Sequence, residues 1–203
     1  VLASLGVEPG EKFTIFRFVS WEAHHDVGHR GLTNEAKIRI VQACAEFGKV
    51  FISSEMALPE ALQPYQLQLP VDQVHHAMAF ASLLYGESAT MASECAVLGT
   101  PAIFLDDTGR GYNKEQEEQY GLVSNFTNAP EDQERSLERA LEILRLPDPK
   151  AEWLRKRDRM LADKLDVTAF LVWFAEAYPE SIAAARAGDS LKERFSARPA
   201  GRE

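Results

Sequence analysis

Lys12-Phe13-Thr14-Ile15-Phe16-Arg17-Phe18-Val19-Ser20-Trp21 opens the part of the chain that decides its fold. The run is β-branched or aromatic almost throughout, and Pro9-Gly10 punctuates its start, so it reads as a strand. A polar, His-rich loop follows from Glu22 to Leu32. Thr33 or Asn34 then caps a helix whose apolar positions, Ile38, Val41 and Ala45 among them, recur at helical spacing to Phe47, where Gly48 ends it. Val50-Phe51-Ile52-Ser53-Ser54 is a second short strand. Strand, helix, strand with no room for a hairpin is a βαβ unit, which implies a parallel sheet and a right-handed crossover.

The pattern repeats toward the C-terminus. A loop rich in Pro and Gln, Leu58 to Pro70, holds at most one short strand around Gln66–Leu69. Val74–Phe80 is expected as a short helix, Ser82–Tyr85 as a strand, Ala89–Leu98 as a helix stopped by Gly99, and Ala102–Leu105 as a strand. A short acidic helix around Glu115–Tyr120 and a strand at Leu122–Phe126 follow. An amphipathic helix over 131–146, with Leu137, Ala140, Leu141 and Leu144 on one face, completes the series. The fold class is therefore α/β, a doubly wound parallel sheet over residues 10–146. Residues 147–186 read as C-terminal helices that pack on this domain or on a missing N-terminal one. One of them, Ala151–Lys164, is amphipathic and basic; the last, opened by Asp166-Val167-Thr168, carries Phe170, Leu171, Phe174 and Tyr178 and is too apolar to be left in water. Residues 187–203 form a polar tail that is expected to fray.

The 203 residues, 45% of them hydrophobic, suffice for one real core. Lys and Arg number 22 against 31 for Asp and Glu, and the net charge of −9 argues against a nucleic-acid partner, whose phosphates need a basic surface. No apolar run approaches the roughly 20 residues of a membrane span, and no signal-type stretch opens the chain. A cytoplasmic protein with no transmembrane segment is the expectation. Cys44 and Cys95 sit in segments that read as helices and are expected to be small buried hydrophobes in a reducing compartment. The chain starts Val1-Leu2-Ala3-Ser4 without Met and is expected to be a fragment of something longer.

The chemistry concentrates in Gly86-Glu87-Ser88-Ala89-Thr90-Met91-Ala92-Ser93-Glu94-Cys95-Ala96-Val97-Leu98-Gly99-Thr100-Pro101. Here a strand ends in a turn of small residues and a helix begins at once, which leaves the amides of Ala89, Thr90 and Met91 free at the positive end of the helix dipole. Such a turn is a ready anion site. Glu94, about a turn and a half further on, is placed to accept hydrogen bonds from ribose hydroxyls.

That string resembles the donor-binding segment of GT-B-type nucleotide-sugar enzymes, UDP-N-acetylglucosamine 2-epimerases and the N-acetylglucosaminyltransferase that makes lipid II among them. Those relatives carry Ser-Gly or Gly-Gly where this chain has Ser88-Ala89-Thr90. The sequence is also similar to a prokaryotic family of proposed glycosyltransferases catalogued as domain of unknown function 354. That resemblance rests on Ser20-Trp21-Glu22-Ala23-His24-His25-Asp26-Val27-Gly28, Gly86 to Glu94, Gly109-Arg110-Gly111-Tyr112, and Glu115-Gln116 to Tyr120-Gly121-Leu122-Val123. It implies a Rossmann-like C-terminal half of a GT-B fold, with about another 150 residues of similar domain ahead of it. The likeness to the GT-B-type segment implies that Glu87, Ser88, Ala89 and Thr90 contact the donor diphosphate, beside the free Met91 amide, and that Glu94 holds the ribose.

Two loops open at the same sheet edge, the His-rich one after the first strand and Asp106–Tyr112, and further candidates lie beyond them. His24, His25, Asp26 and His29, with Arg30, lie in the loop after the first strand and are the candidate catalytic groups, as acid–base or leaving-group stabilisers. No second cluster completes a coordination sphere for them, so no metal is expected. Arg110, flanked by glycines, can lay a guanidinium on phosphate, and Glu115 and Gln116 resemble the acidic-Gln pair that reads sugar hydroxyls in the relatives. His75-His76 can flank a uracil-type base.

The leading expectation is the nucleotide-sugar-binding domain of a GT-B-like glycosyltransferase, with a UDP-type sugar as substrate, no cofactor and metal-independent transfer. A UDP-N-acetylglucosamine 2-epimerase-like enzyme is the first alternative, and a non-catalytic nucleotide- or partner-binding module the second. The expected partners are the nucleotide-sugar, the missing N-terminal domain and, through the apolar last helix, another subunit, as in a homodimer.

Overall fold

Five short strands pair side by side in one direction: β1 (Phe13–Phe18), β2 (Lys49–Ser54), β3 (Leu83–Gly86), β4 (Ala102–Leu105) and β5 (Val123–Phe126). The computed structural model describes residues 1–20, 31–187 and 191–196. The sheet order is β2-β1-β3-β4-β5. Every residue of β3 and β4 is buried, so these strands show no polar–apolar alternation, as central parallel strands covered on both faces require. The chain thus forms a Rossmann-like α/β domain, as the βαβ reading of its first 54 residues implied.

Helices cover both faces. α1 (Asn34–Ala45) and α5 (Pro130–Arg145) pack together on one; α3 (Ala89–Leu98) lies on the other against α2 (Val74–Phe80), α4 (Gly111–Glu118) and α6 (Pro149–Asp163). Local chemistry fixes their ends. Thr33 Oγ1 accepts the Ala36 N–H at 3.2 Å to start α1, and Gly99, in the left-handed region at φ +67°, closes α3. α6 is anchored by Trp153, 2% exposed, whose Nε1 donates to the Leu122 carbonyl at 2.8 Å. It is tied to the end of α3 by Lys150, whose Nζ donates to the Leu98 carbonyl and to Thr100 Oγ1.

Three expectations are corrected. Residues 66–69 form no strand: Pro59, Pro64 and Pro70 hold this stretch in 3-10 turns, Glu60–Tyr65 and Val71–Gln73, and only one bridge, Ile52 to Gln66, reaches the sheet. α4 begins at Gly111, four residues before Glu115, because its buried face is polar (Asn113 and Gln116) and apolar periodicity carried no signal of it. The single last helix is two pieces, α7 (Val167–Glu176) and α8 (Glu180–Ala187), and a short α9 (Leu191–Arg194) follows in the tail. α7 contains no buried residue. Phe170, Trp173 and Phe174 pack on one another and, with Phe195 completing the cluster, leave Val167, Leu171, Val172 and Tyr178 exposed. Of the tail expected to fray, Leu191–Arg194 is helical, and residues 188–190 and 197–203 lie outside the described residues.

Candidate functional site

The strand order reverses beside β1: β2 lies on one side of it, and β3, β4 and β5 follow on the other. In open parallel sheets this switch point, at the carboxyl ends of the strands, is where ligands bind. Two segments leave the sheet here, the chain after Phe18 and the Gly86-Glu87-Ser88 turn after β3. Their backbones touch. Gly86 faces Arg17, and a Cβ on Gly86 would lie 2.1 Å from the Arg17 carbonyl oxygen, so only glycine allows this approach. The Glu87 N–H then donates to the same carbonyl at 2.9 Å.

Ser88 caps α3: its Oγ accepts the Met91 N–H at 3.3 Å. Met91 is therefore removed from the set of free amides expected at the turn. The N–H groups of Ala89 and Thr90, at the first two helical positions, have no intrahelical acceptor. α4 buttresses this turn from behind. Asn113 Nδ2 donates to the Ala89 carbonyl at 3.3 Å, and Gln116 Nε2 donates to Ser93 Oγ at 2.8 Å.

Glu94 is half-exposed, and its Oε2 lies 3.2 Å from His75 Nε2 on α2. It lines a shallow depression of about 270 Å³ with Thr90, Ser93, Val97 and Tyr112. The arrangement offers two backbone donors for an anion, a carboxylate for vicinal hydroxyls, and an apolar and aromatic wall, within one helix and its neighbours.

The remaining expected site residues are placed differently. The Glu87 side chain is buried, with Oε1 accepting the Leu32 N–H at 2.7 Å and Oε2 the Val19 N–H at 3.1 Å. Its carboxylate is turned into the protein instead of toward a diphosphate. The Arg110 guanidinium is held by its own loop, with Nη1 donating to Asp106 Oδ2 at 2.9 Å, Thr108 Oγ1 at 2.6 Å and the Gly109 carbonyl at 2.7 Å. Glu115 pairs with Lys164 of the α6 C-cap at 2.5 Å, and that hydrogen bond raises the lysine above its ordinary pKa. Gln116 is buried on Ser93. Glu115 and Gln116 therefore do not form a pair facing the turn: a helix turns consecutive residues about 100° apart, and one met α6 while the other met α3. His24, His25, Asp26 and His29 lie outside the described residues. Among those described, no three His, Cys, Asp or Glu side chains stand together as a metal site would require.

Two charged residues at this edge escaped the sequence reading. Arg17 donates to Ser53 Oγ at 2.8 Å and pairs with Glu55, which in turn accepts the Ser20 N–H at 3.0 Å. Lys37, 6% exposed, lies 4.0 Å from Glu87 and 4.7 Å from the centre of the Phe18 ring. The available signal was a charge inside an apolar pattern: Arg17 between Phe16 and Phe18, and Lys37 beside Ala36 on the buried face of α1. Cys44 and Cys95 are buried, and burial pushes the Cys44 thiol up to about 12 and the Cys95 thiol still higher, so neither is a nucleophile at neutral pH.

No family model matches the sequence, and no curated protein does. Solved structures do match. A protein from Listeria monocytogenes described as a UDP-N-acetylglucosamine 2-epimerase superposes with a TM-score of 0.52 at 14% identity, over 80% of this chain and 45% of that one. The spinosyn rhamnosyltransferase SpnG superposes with a TM-score of 0.50 at 13% identity, over 93% of this chain and 47% of its own. The chain spans less than half the length of either. At these identities the likeness establishes the fold: a Rossmann-like parallel α/β domain of the kind found in GT-B glycosyltransferases.

Proposed function

We propose that the chain is the nucleotide-sugar-binding half of a GT-B-like glycosyltransferase of the domain of unknown function 354 type, taking a UDP-linked sugar in the cytoplasm. One observation carries this reading: a capped helix N-terminus and a carboxylate a turn and a half along the same helix open together at the switch point of the sheet. The donor diphosphate sits on the Ala89 and Thr90 amides, and Glu94 accepts hydrogen bonds from the ribose hydroxyls. His75 holds the Glu94 carboxylate from the side. Charge developing on the departing diphosphate is met by the positive end of α3 and by His24, His25 and His29, so the transfer needs no metal. Arg110 joins in only by leaving Asp106. The acceptor side belongs to an N-terminal domain of the same protein.

The 2-epimerase reading shares this donor site and is favoured by the likeness to the Listeria protein. Incubating the full-length protein with UDP-N-acetylglucosamine and no acceptor separates the two. A transferase leaves the donor intact, an epimerase yields the epimer or free sugar, and failure of UDP or UDP-N-acetylglucosamine to bind at all leaves the non-catalytic partner-binding module.

A further inference from the structure

We propose that Glu87 is a positioning residue: its carboxylate, neutralised by Lys37, pins both ends of the His-rich segment to the donor turn. The proposal rests on the reading of Ser88–Thr90 as that turn. Glu87 stands between the last residue of β3 and the cap of α3, yet its side chain has no exposed surface. Its two oxygens accept the N–H groups of Val19 and Leu32, the residues that flank the stretch containing His24, His25, Asp26 and His29. A carboxylate suits this place because it offers two acceptor oxygens and no donor, and Val19 and Leu32 each present an N–H group to it. A glutamine of the same shape offers one acceptor and turns an NH2 toward the second N–H.

Burying a carboxylate is unfavourable unless it is hydrogen-bonded and paired. Lys37 supplies the charge from α1, 4.0 Å away and itself buried over Phe18. Leu32 and the cap Thr33 place the carboxylate beside the N-terminus of α1, where the helix dipole adds to the attraction. One side chain thus joins the end of β1, the start of α1 and the donor turn. The backbone on both flanks of the segment that carries the candidate catalytic histidines is thereby tied to the turn that begins α3.

Amide exchange followed by NMR, with calorimetric UDP titration, tests this on wild type, E87Q, K37M and the double variant E87Q/K37M. In E87Q, the Val19 or Leu32 amide that loses its acceptor exchanges at least tenfold faster, while the core amides of Ile103 and Phe104 keep their rates. The UDP dissociation constant stays within threefold of wild type. Each single change lowers the melting temperature by breaking the buried Lys37–Glu87 pair, and the double variant recovers most of that loss. Unchanged exchange at both Val19 and Leu32 overturns the proposal, as does a loss of UDP affinity beyond tenfold in E87Q, which makes Glu87 a ligand contact. Absence of UDP binding by wild type sinks the donor reading alone, and the exchange rates still decide whether Glu87 holds the segment.

Discussion

Glu94 Oε2 lies 3.2 Å from His75 Nε2, joining α3 to α2 on the outer side of the candidate donor site. Both side chains are substantially exposed, so the pair itself contributes little to stability, well under about 1 kcal/mol. Its consequence is orientational: the imidazole limits the rotamers open to the carboxylate. His75→Ala is therefore expected to weaken UDP binding about two- to fivefold and to leave the melting temperature unchanged. Calorimetry with thermal melting checks both; a lowered melting temperature with unchanged affinity would make the pair a structural contact only.

The Ser88 cap predicts a graded series. Ser88→Ala removes the acceptor of the Met91 N–H and is expected to cost about 1 kcal/mol in urea unfolding, whereas Ser88→Gly costs only a few tenths. Equal losses in the two variants would mean that the hydroxyl does not cap α3.

α6 and α7 differ sharply in attachment. Trp153 is buried against the sheet domain and its indole N–H is hydrogen-bonded, so Trp153→Ala is expected to cost about 3–5 kcal/mol. Leu171 of α7 is 57% exposed, and Leu171→Ser is expected to change stability by less than about 0.5 kcal/mol. Denaturant melts of the two variants test this; comparable losses would place α7 in the folded core.

Lys150 gives stability a distinct pH dependence. Burial lowers its ammonium from 10.5 to about 8 in the folded chain. Between those values the unfolded chain holds a proton that the folded chain has released, so the lysine's contribution to stability rises with pH across that window. The difference in melting temperature between wild type and Lys150→Met is therefore expected to move in favour of wild type from pH 8 to 10. A difference that is flat with pH would contradict the burial of this amine. Cys44 acts in the opposite sense. Its raised thiol keeps its proton in the folded chain, so its contribution is present below about 9 and is lost as pH rises toward 12. Lys150→Met leaves that slope in place and so isolates the lysine.

How much of this was legible in the sequence follows the physics of each element. β1, α2, α3 and β4 were readable because local signals agreed: apolar strands, Gly99 after the last helical residue, Ser88 before the first. The start of α4 was hidden, since the residues it buries, Asn113 and Gln116, are polar and serve α3 through hydrogen bonds. The motif strings located the edge of the sheet where the site lies but not the direction of each side chain. Arg110 and Glu87 have the right chemistry for an anion or donor contact. Asp106 holds the first and two backbone N–H groups hold the second, and neither partner is visible from local sequence. Lys37 is not legible in the sequence, because a single charge on an amphipathic helix normally faces water; its position beside Glu87 explains its burial.

Calorimetric titration of UDP into wild type and Glu94→Ala tests the central claim most directly. Hydrogen bonds from ribose hydroxyls to a carboxylate are worth about 1.5–3 kcal/mol, so the account predicts saturable binding by wild type and at least tenfold weaker binding by Glu94→Ala at unchanged melting temperature. No binding by wild type, or equal binding by the two proteins, would contradict it.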